Sequence, residues 1–197
     1  MERARISLLT VCGLDELDGH AQSRVTHVLS ILDPAWPDPE GFGAWERHHR
    51  LTLRFHDIIE PIPGQILPER EHVERILAFA EDLAADAHQR DEGHLLVHCH
   101  MGISRSTAAM TMLLAQAYPN EDEAAILARL VAIRPQAWPN LRMAEFADEI
   151  LGRGGRLAAE VSRLHARQIA EKPHLAETFR RLRRSREVET ALKVMAA

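Results

Sequence analysis

The sequence predicts an α/β fold, with a central, mostly parallel β-sheet of about four to five strands flanked by helices. A helical C-terminal extension is predicted to follow. Two observations support this. Short apolar or β-branched runs alternate with helix-like segments up to residue 99, and beyond it the pattern is helical throughout. The helical part is interrupted at Gly152, Gly154 and Gly155. A chain of 197 residues is long enough for one such domain and short for two.

Four segments are predicted to be strands. Residues 5–12 form an apolar run, and residues 26–32 (THVLSIL) are rich in β-branched side chains. Residues 49–55 (HRLTLRF) alternate polar and apolar side chains, which is strand periodicity. Residues 94–99 (HLLVHC) form a short apolar run, typical of a buried strand.

The helices are predicted from apolar side chains at helical spacing, from acidic first turns and from helix-ending prolines. The first predicted helix is clearly amphipathic, and the last is rich in arginine and expected to be loosely attached. The predicted helices cover residues 69–90, 104–118, 121–133, 140–151, 156–170 and 174–195.

Composition narrows the classes of partner and compartment. The formal net charge of −5 argues against nucleic acid as the main partner, and the basic residues of the extension are expected to form a solvated helix face. Two cysteines do not make a disulfide framework, so a reducing compartment is predicted. No apolar run approaches the roughly 18 residues of a membrane span. We therefore predict a cytoplasmic protein, with its oligomeric state left open.

One loop carries the clearest chemical signal. Cys99 and Arg105 are six residues apart, as C-x5-R, between a predicted strand and a predicted helix. Such a loop can turn backbone N–H groups towards an anion, and the helix N-terminus adds its positive end. Arg105 supplies a planar fork for two phosphate oxygens, and Gly102 gives the loop backbone freedom. Cys99 is expected to be a thiolate that attacks a bound phosphorus atom.

The segment HCHMGISRS, residues 98–106, fits the pattern H-C-x-x-G-x-x-R-S. It resembles the loop of the cysteine-based protein tyrosine phosphatases, most closely their small dual-specificity-like, bacterial-type branch. The resemblance implies a phosphatase-like catalytic domain over residues 1–152, with 153–197 as a basic helical extension. It also implies a phosphocysteine intermediate on Cys99, with Ser106 hydrogen-bonded to the sulfur.

The resemblance assigns further residues to the site. His98 would support the loop from below, and a core histidine satisfied by backbone explains it equally well. RPQAWPNLRM resembles the Pro-Asn segment before the last core helix of these phosphatases. Asn140 would therefore lie near the loop, or simply cap a helix. The residues expected to bind phosphate, mainly through backbone N–H groups, are His100, Met101, Gly102, Ile103, Ser104 and Arg105.

The leaving group needs a proton, which these phosphatases take from an aspartate on a loop. Asp57, in RFHDIIEP, is predicted to be this acid because it follows a strand and opens a loop rich in proline. Asp33, in LDP, is the main alternative, although a turn before Pro34 explains it better. Glu60 is a weaker candidate. The W-P-D triplet at 36–38 lies too early in the topology to be the acid loop.

The sequence therefore predicts a phosphomonoester hydrolase without cofactor or metal, acting on a phosphorylated protein or a small phosphomonoester. A protein phosphatase, for phosphotyrosine or of dual specificity, is preferred to a phosphoinositide phosphatase, because the loop lacks the lysines that would meet the extra phosphates of a phosphoinositide. The choice between phosphotyrosine and phosphoserine or phosphothreonine depends on pocket depth and stays open. The histidines at 94, 98 and 100 do not indicate a metal site, since Arg105 suits an anion. Two alternatives stay open, a phosphate-binding pseudophosphatase that recognises phosphorylated partners and a sulfur- or arsenate-handling enzyme.

Overall fold

The computed structural model describes residues 6–87 and 93–196. In this part of the chain four strands form one sheet, in the order β1-β4-β2-β3, and every adjacent pair is parallel. The strands are β1 (Ile6–Cys12), β2 (His27–Leu32), β3 (His49–Arg54) and β4 (Gly93–His98). The predicted α/β class with a parallel central sheet is confirmed. Residue 5 of the first predicted strand and residues 88–90 of the first predicted helix lie outside the described residues.

Seven α-helices accompany the sheet in the described part of the chain, together with two 3-10 helices at Leu14–His20 and Glu40–Ala44. The α-helices are α1 (Arg70–Ala87), α2 (Arg105–Ala117), α3 (Glu123–Ile133), α4 (Leu141–Ile150), α5 (Arg156–Glu171), α6 (His174–Arg181) and α7 (Ser185–Ala196).

The two central strands, β2 and β4, are buried along almost their whole length, which is why they carry apolar side chains towards both faces. The edge strand β3 is only partly buried and alternates polar and apolar side chains. Leu29 and Val97 point into the larger core cluster, which is built with side chains of α1 to α5. Their neighbours Val28 and Leu96 point to the opposite face, where the two 3-10 helices contribute Leu17 and further apolar side chains. Successive residues of a strand face opposite sides, so each strand serves both clusters.

The parallel pairing fixes where a site can form. All four strands end at the same edge of the sheet, and the loops that follow them meet there. Cys12 pairs with His98, and Leu32 pairs with Arg54. The segments after β2, β3 and β4, which hold Asp33, Asp57 and Cys99, therefore leave the sheet side by side.

The C-terminal extension differs from its prediction in two respects. Its last part is not loosely attached, because Phe179, Val188 and Ala191 are buried in one cluster with Trp138. Residues 174–195 form two helices, α6 and α7, where one was predicted. Arg183 adopts a left-handed backbone with φ of 59°, which a continuous helix does not allow. The extension packs against Trp138, which precedes it in the chain. The Trp138 ring stacks on His165 of α5, with 4.1 Å between centroids, and on Phe179 of α6, with 3.9 Å between centroids. The predicted boundary after residue 152 stays a prediction.

Candidate active site

The candidate site is the loop between β4 and α2. Cys99 directly follows β4, and Arg105 is the first residue of α2. At Gly102 the backbone is left-handed, with φ of +65°, and an added Cβ would lie 2.4 Å from the carbonyl carbon of Cys12. Only glycine fits this conformation and this close approach, so Gly102 lets the loop press against the end of β1.

The backbone carbonyls of loop residues 100–104 accept hydrogen bonds from residues outside the loop. The carbonyl of His100 accepts from the N–H of Leu14, and the carbonyls of Met101 and Gly102 accept from the side chain of Arg134. The carbonyl of Ile103 accepts from the N–H of Trp138. The carbonyl of Ser104 accepts from the N–H groups of Ala108 and Asn140. Across a trans peptide the C=O and the following N–H point in opposite directions. The N–H groups that follow these carbonyls therefore point away from the outer hydrogen-bond partners, an arrangement that suits an anion cradle.

The sulfur of Cys99 lies at the base of this cradle. Cys99 is 2% exposed, and its Sγ is 3.1 Å from the Oγ of Ser106, which is fully buried. Ser106 belongs to the first turn of α2, where the positive end of the helix dipole lies. A hydroxyl in this position can donate to a thiolate and stabilise it. The structure therefore brings together the sulfur and the hydroxyl that the motif paired.

Arg105 closes the loop with a buried guanidinium. It is 3% exposed, and its Nη1 donates to Asp33 Oδ1 at 2.6 Å and to the carbonyl of Phe55 at 2.5 Å. Its buried Nε has no hydrogen-bond partner among the described residues. An oxyanion in the cradle can supply that partner, because guanidinium N–H groups match two oxygens of a phosphate.

Asp57 lies directly behind the loop and receives three hydrogen bonds on one oxygen. Its Oδ1 accepts from Ser104 Oγ at 2.7 Å, from Asn140 Nδ2 at 3.0 Å and from Arg184 Nη1 at 3.2 Å. The side chain is 31% exposed, so the carboxyl is fixed on one side and reachable on the other. The loop residue Ser104 is thus tied directly to the predicted acid.

The charge state of Asp57 follows from these neighbours. Desolvation by itself would raise the pKa of Asp57. The positive charges of Arg184 and Arg105, with the hydrogen bonds from Asn140 and Ser104, outweigh it and lower the pKa of Asp57. Asp57 is therefore an acid that releases its proton more readily than an ordinary carboxyl.

The other acid candidates are each paired with an arginine. Asp33 faces the site but forms an ion pair with Arg105. Asp33 is therefore not only a turn residue, because its Oδ1 accepts from Nη1 of the Arg105 guanidinium, the group predicted to bind phosphate. Glu60 is 54% exposed and pairs with Arg186 at 3.6 Å. Asp38, of the W-P-D triplet, is held by Arg50 and Arg54 beside β3.

The two loop histidines have different environments. His98 is fully buried, and its Nε2 is 2.7 Å from Ser30 Oγ on β2. Burial lowers the pKa of His98 to about 4, so the ring is neutral at pH 7. The Nε2 of His100 accepts from the N–H of Asp33 at 3.2 Å, and its ring packs on Trp36 at 4.6 Å between centroids. Burial, with the nearby Arg105, lowers the pKa of His100.

Asn140 combines the two roles that the sequence left open. It is fully buried, and its Oδ1 caps α4 by accepting from the N–H of Met143 at 3.2 Å. Its Nδ2 donates to Asp57 Oδ1 and to the carbonyl of Ile58. One amide therefore begins a helix and holds the segment that carries Asp57.

The rim of the site is partly apolar and exposed. Met101, in the loop, is 67% exposed, and Trp36, which packs on His100, is 47% exposed. Arg54 donates to the carbonyl of Trp36 at 2.6 Å and so supports that segment. An aromatic substrate could use these side chains as a wall.

Arg184 is the site residue that sequence reasoning missed. It lies in the turn between α6 and α7 and is 2% exposed. Besides Asp57, its Nη1 donates to Ser104 Oγ at 2.7 Å. The sequence offered only the isolated clue of an arginine-rich turn, and nothing in the motif pointed to it.

Residues 6–87 and 93–196 contain neither a cluster of metal-ligating side chains nor a membrane-spanning helix. No group of three or more His, Cys, Asp or Glu side chains there could hold a metal ion. In the same ranges, none of the helices has the length and apolar character needed to cross a membrane. His94 bonds instead to Thr10 and to the carbonyl of Ser23.

Similarity to known proteins lies in the fold. No protein-family model matches the chain, and no curated protein matches it. The Yvh1 phosphatase domain from Chaetomium thermophilum is 24% identical, with a TM-score of 0.53 over 76% of this chain and 93% of that chain. Human DUSP28 is 18% identical, with a TM-score of 0.54 over 78% of this chain and 100% of that chain. The PTP-2 phosphatase of Cydia pomonella is 19% identical, with a TM-score of 0.54 over 74% of this chain and 88% of that chain.

The chain therefore has the α/β fold of the dual-specificity and protein tyrosine phosphatases. The resemblance drawn from the HCHMGISRS loop is confirmed at the level of the fold. The matched structures are covered almost completely, whereas about a fifth to a quarter of this chain lies outside each match.

Proposed function

We propose that this chain is a phosphomonoester hydrolase that forms a phosphocysteine intermediate on Cys99. The observation that carries the proposal is the arrangement of one loop. A buried sulfur lies 3.1 Å from the hydroxyl of Ser106, and outside residues hold the carbonyls of residues 100–104 so that the N–H groups that follow point the other way. Arg105 contributes a buried Nε donor without a partner among the described residues, and Asp57 lies directly behind the loop.

In the first step the phosphate occupies the cradle, and its oxygens replace Asp33 on the guanidinium of Arg105. The Cys99 thiolate attacks phosphorus, the S–P bond forms and the bond to the leaving oxygen breaks. Asp57 gives its proton to that oxygen, so the leaving group departs as an alcohol or phenol. Loop N–H groups and Arg105 stabilise the equatorial oxygens.

In the second step a water molecule attacks phosphorus, and the S–P bond breaks. Asp57, now a carboxylate, takes the proton of the water. The electron pair returns to the Cys99 sulfur, where the Ser106 hydroxyl donates to the thiolate and eases its departure. Inorganic phosphate leaves, and the enzyme returns to its starting state.

We propose phosphotyrosine as the preferred substrate. Because its pKa is lowered, Asp57 is less often protonated near pH 7 than an ordinary carboxyl. This slows most the reactions whose leaving groups depend strongly on receiving a proton. The phenol of tyrosine, with a pKa of about 10, leaves more readily than the alcohols of serine and threonine. The exposed Trp36 and Met101 at the rim can pack on an aromatic ring.

A panel of matched peptides tests both the reaction and the substrate. We expect phosphate release from a phosphotyrosine peptide with kcat/KM about tenfold or more above that of the phosphothreonine peptide. A soluble phosphoinositide should release little phosphate. Equal rates on all substrates would contradict the preference. Binding of the phosphopeptide without any phosphate release would instead support the pseudophosphatase.

Asp57→Asn tests the acid. We expect turnover of phosphotyrosine to fall by about 100- to 1,000-fold, and that of p-nitrophenyl phosphate much less, because its leaving group needs little protonation. In the unmodified protein turnover should fall as the pH rises through the pKa of Asp57, since only the protonated form donates. Asp57→Asn should remove this fall, which pH profiles of kcat measure.

Glu60→Gln is the matched control, because it makes the same carboxylate-to-amide change on an exposed side chain of the same loop. It should leave both the rates and the pH profile unchanged. If Asp33→Asn removes the fall of turnover with rising pH and Asp57→Asn does not, the acid has been assigned to the wrong aspartate.

A further inference from the structure

A buried arginine from the C-terminal extension touches the candidate site. Arg184 donates from a single Nη1 to Ser104 Oγ at 2.7 Å and to Asp57 Oδ1 at 3.2 Å. One of these partners belongs to the anion-binding loop, and the other is the proposed acid. The Nε, Nη1 and Nη2 atoms of Arg184 are all occupied by Glu187, Asp57 and Ser104, so Arg184 acts on the site through these partners and not on substrate.

The guanidinium is itself held from the other side. Glu187, which is fully buried, accepts from Arg184 Nε and Nη2, both at 2.7 Å. The same carboxylate accepts from the indole N–H of Trp138 at 2.8 Å and from the N–H of Leu141 at 2.9 Å. This bidentate pairing fixes the plane of the guanidinium.

The turn that delivers Arg184 has an uncommon backbone. Arg183, just before it, has a φ of 59°, a left-handed conformation that strains a non-glycine residue. The N–H of Arg184 then donates to the carbonyl of Phe179 and closes the end of α6. The turn therefore accepts strain at Arg183 and places Arg184 inside the protein, while Arg183 is exposed.

We propose that Arg184 is a positioning residue of the phosphatase site, which makes the C-terminal extension part of the catalytic unit. By bonding to Ser104 and Asp57 together, it fixes the loop and the acid relative to each other. With Oδ1 anchored, the other oxygen of Asp57 is left for proton transfer. The inference rests on the proposed phosphatase function.

The electrostatic consequence can be stated with its sign. The charged or titratable groups that face Asp57, directly or behind an arginine, are Arg184, Arg105, His100, Cys99, Asp33 and Glu187. The positive charge of Arg184 lowers the pKa of Asp57, against the effect of burial. Removing that charge raises this pKa, so Asp57 keeps its proton to higher pH.

The test uses the full chain with the charges of the pair removed together. Arg184→Met alone would leave the Glu187 carboxylate buried without its counterion and could unfold the protein. Arg184→Met with Glu187→Gln leaves a neutral pair. Trp138 and Leu141 donate to different oxygens of Glu187, so the amide oxygen keeps one of these two acceptor positions. Arg184→Lys is the second variant, because it keeps the charge but loses the fork. Arg181→Gln, on an exposed arginine of α6 that pairs with Glu177, is the control.

In the double variant we expect kcat on phosphotyrosine peptide to be roughly tenfold lower. The decrease of kcat that accompanies deprotonation of Asp57 should occur about one pH unit higher than in the unmodified protein. Arg184→Lys should also lose rate but keep the pH profile nearer to that of the unmodified protein. Arg181→Gln should match the unmodified protein. A folded double variant with unchanged kcat and pH profile would overturn the inference.

Inorganic phosphate gives a readout that does not depend on turnover. Its stabilisation of the protein in thermal unfolding measures its affinity for the loop. We expect the double variant to bind phosphate about tenfold more weakly, since Ser104 loses its anchor. If the unmodified protein has no turnover, the proposed function fails, and weakened phosphate binding alone would still support positioning of the loop. Unchanged phosphate affinity in that case would overturn this inference as well.

Discussion

Cys99→Ser is expected to abolish turnover, with kcat on p-nitrophenyl phosphate at least about 1,000-fold below that of the unmodified protein. The hydroxyl of serine is far less ionised than a thiol, so the variant has no anionic nucleophile to attack phosphorus. The change is nearly isosteric at a position 2% exposed, and the fold should persist. Steady-state kinetics with a thermal melt measures both effects.

Cys12 provides the matched control for the other thiol. It is also buried, at 1% exposure, and burial, with the charge of Glu16, raises its pKa to about 12. It is therefore a neutral thiol that cannot take over as nucleophile. Cys12→Ala should lose some stability through the small cavity but keep its kcat below the melting range. Substantial turnover by Cys99→Ser would show that Cys99 is not the nucleophile.

The fold was predictable because its signals are local. Each of the four strands is a short apolar or alternating segment, and each coincides with a predicted one. The C-x5-R loop is also local, since Cys99, Gly102 and Arg105 lie within seven residues and between two elements of clear type. What the sequence could not supply was the strand order, β1-β4-β2-β3, which depends on how distant segments pack.

The position of Asp33 shows the limit of such reasoning. As part of LDP it has the properties of a turn former, and a turn is indeed present, because the N–H of Trp36 donates to its carbonyl. Its side chain, however, pairs with Arg105, 72 residues away in sequence. Only the parallel sheet, which ends β2 beside β4, makes this contact possible.

The extension was the least predictable part. Nine Lys and Arg between residues 163 and 197 predicted a solvated basic surface. Nothing in the sequence distinguishes Arg184 from the other basic residues of this segment. Arg184 becomes buried only because α6 ends at Arg181, Arg183 turns the chain, and Glu187 compensates the charge inside. Each of these conditions is tertiary, so no periodicity within the segment reveals it.

Gly102→Ala is expected to disrupt the site through the backbone alone. The new Cβ would lie 2.4 Å from the carbonyl carbon of Cys12 and 2.6 Å from the N atom of Gly13, and neither backbone atom can move aside easily. The loop must shift away from β1, which displaces the inward N–H groups. We expect kcat/KM on phosphotyrosine peptide to fall by about 100-fold or more. The free energy of unfolding should decrease by about 2–3 kcal/mol.

Gly152→Ala separates this clash from the cost of the left-handed backbone. Gly152 has a φ of +64°, almost the same as Gly102, but an added Cβ there meets nothing within 4 Å. It should lose only about 1–2 kcal/mol of stability from the backbone conformation and keep its full activity. Denaturant unfolding and kinetics of the two variants side by side make the comparison. Because the two positions share their backbone conformation, any additional loss in Gly102→Ala measures how tightly the loop is held against the end of β1. Equal behaviour of the two variants would mean that this contact does not set the geometry of the loop.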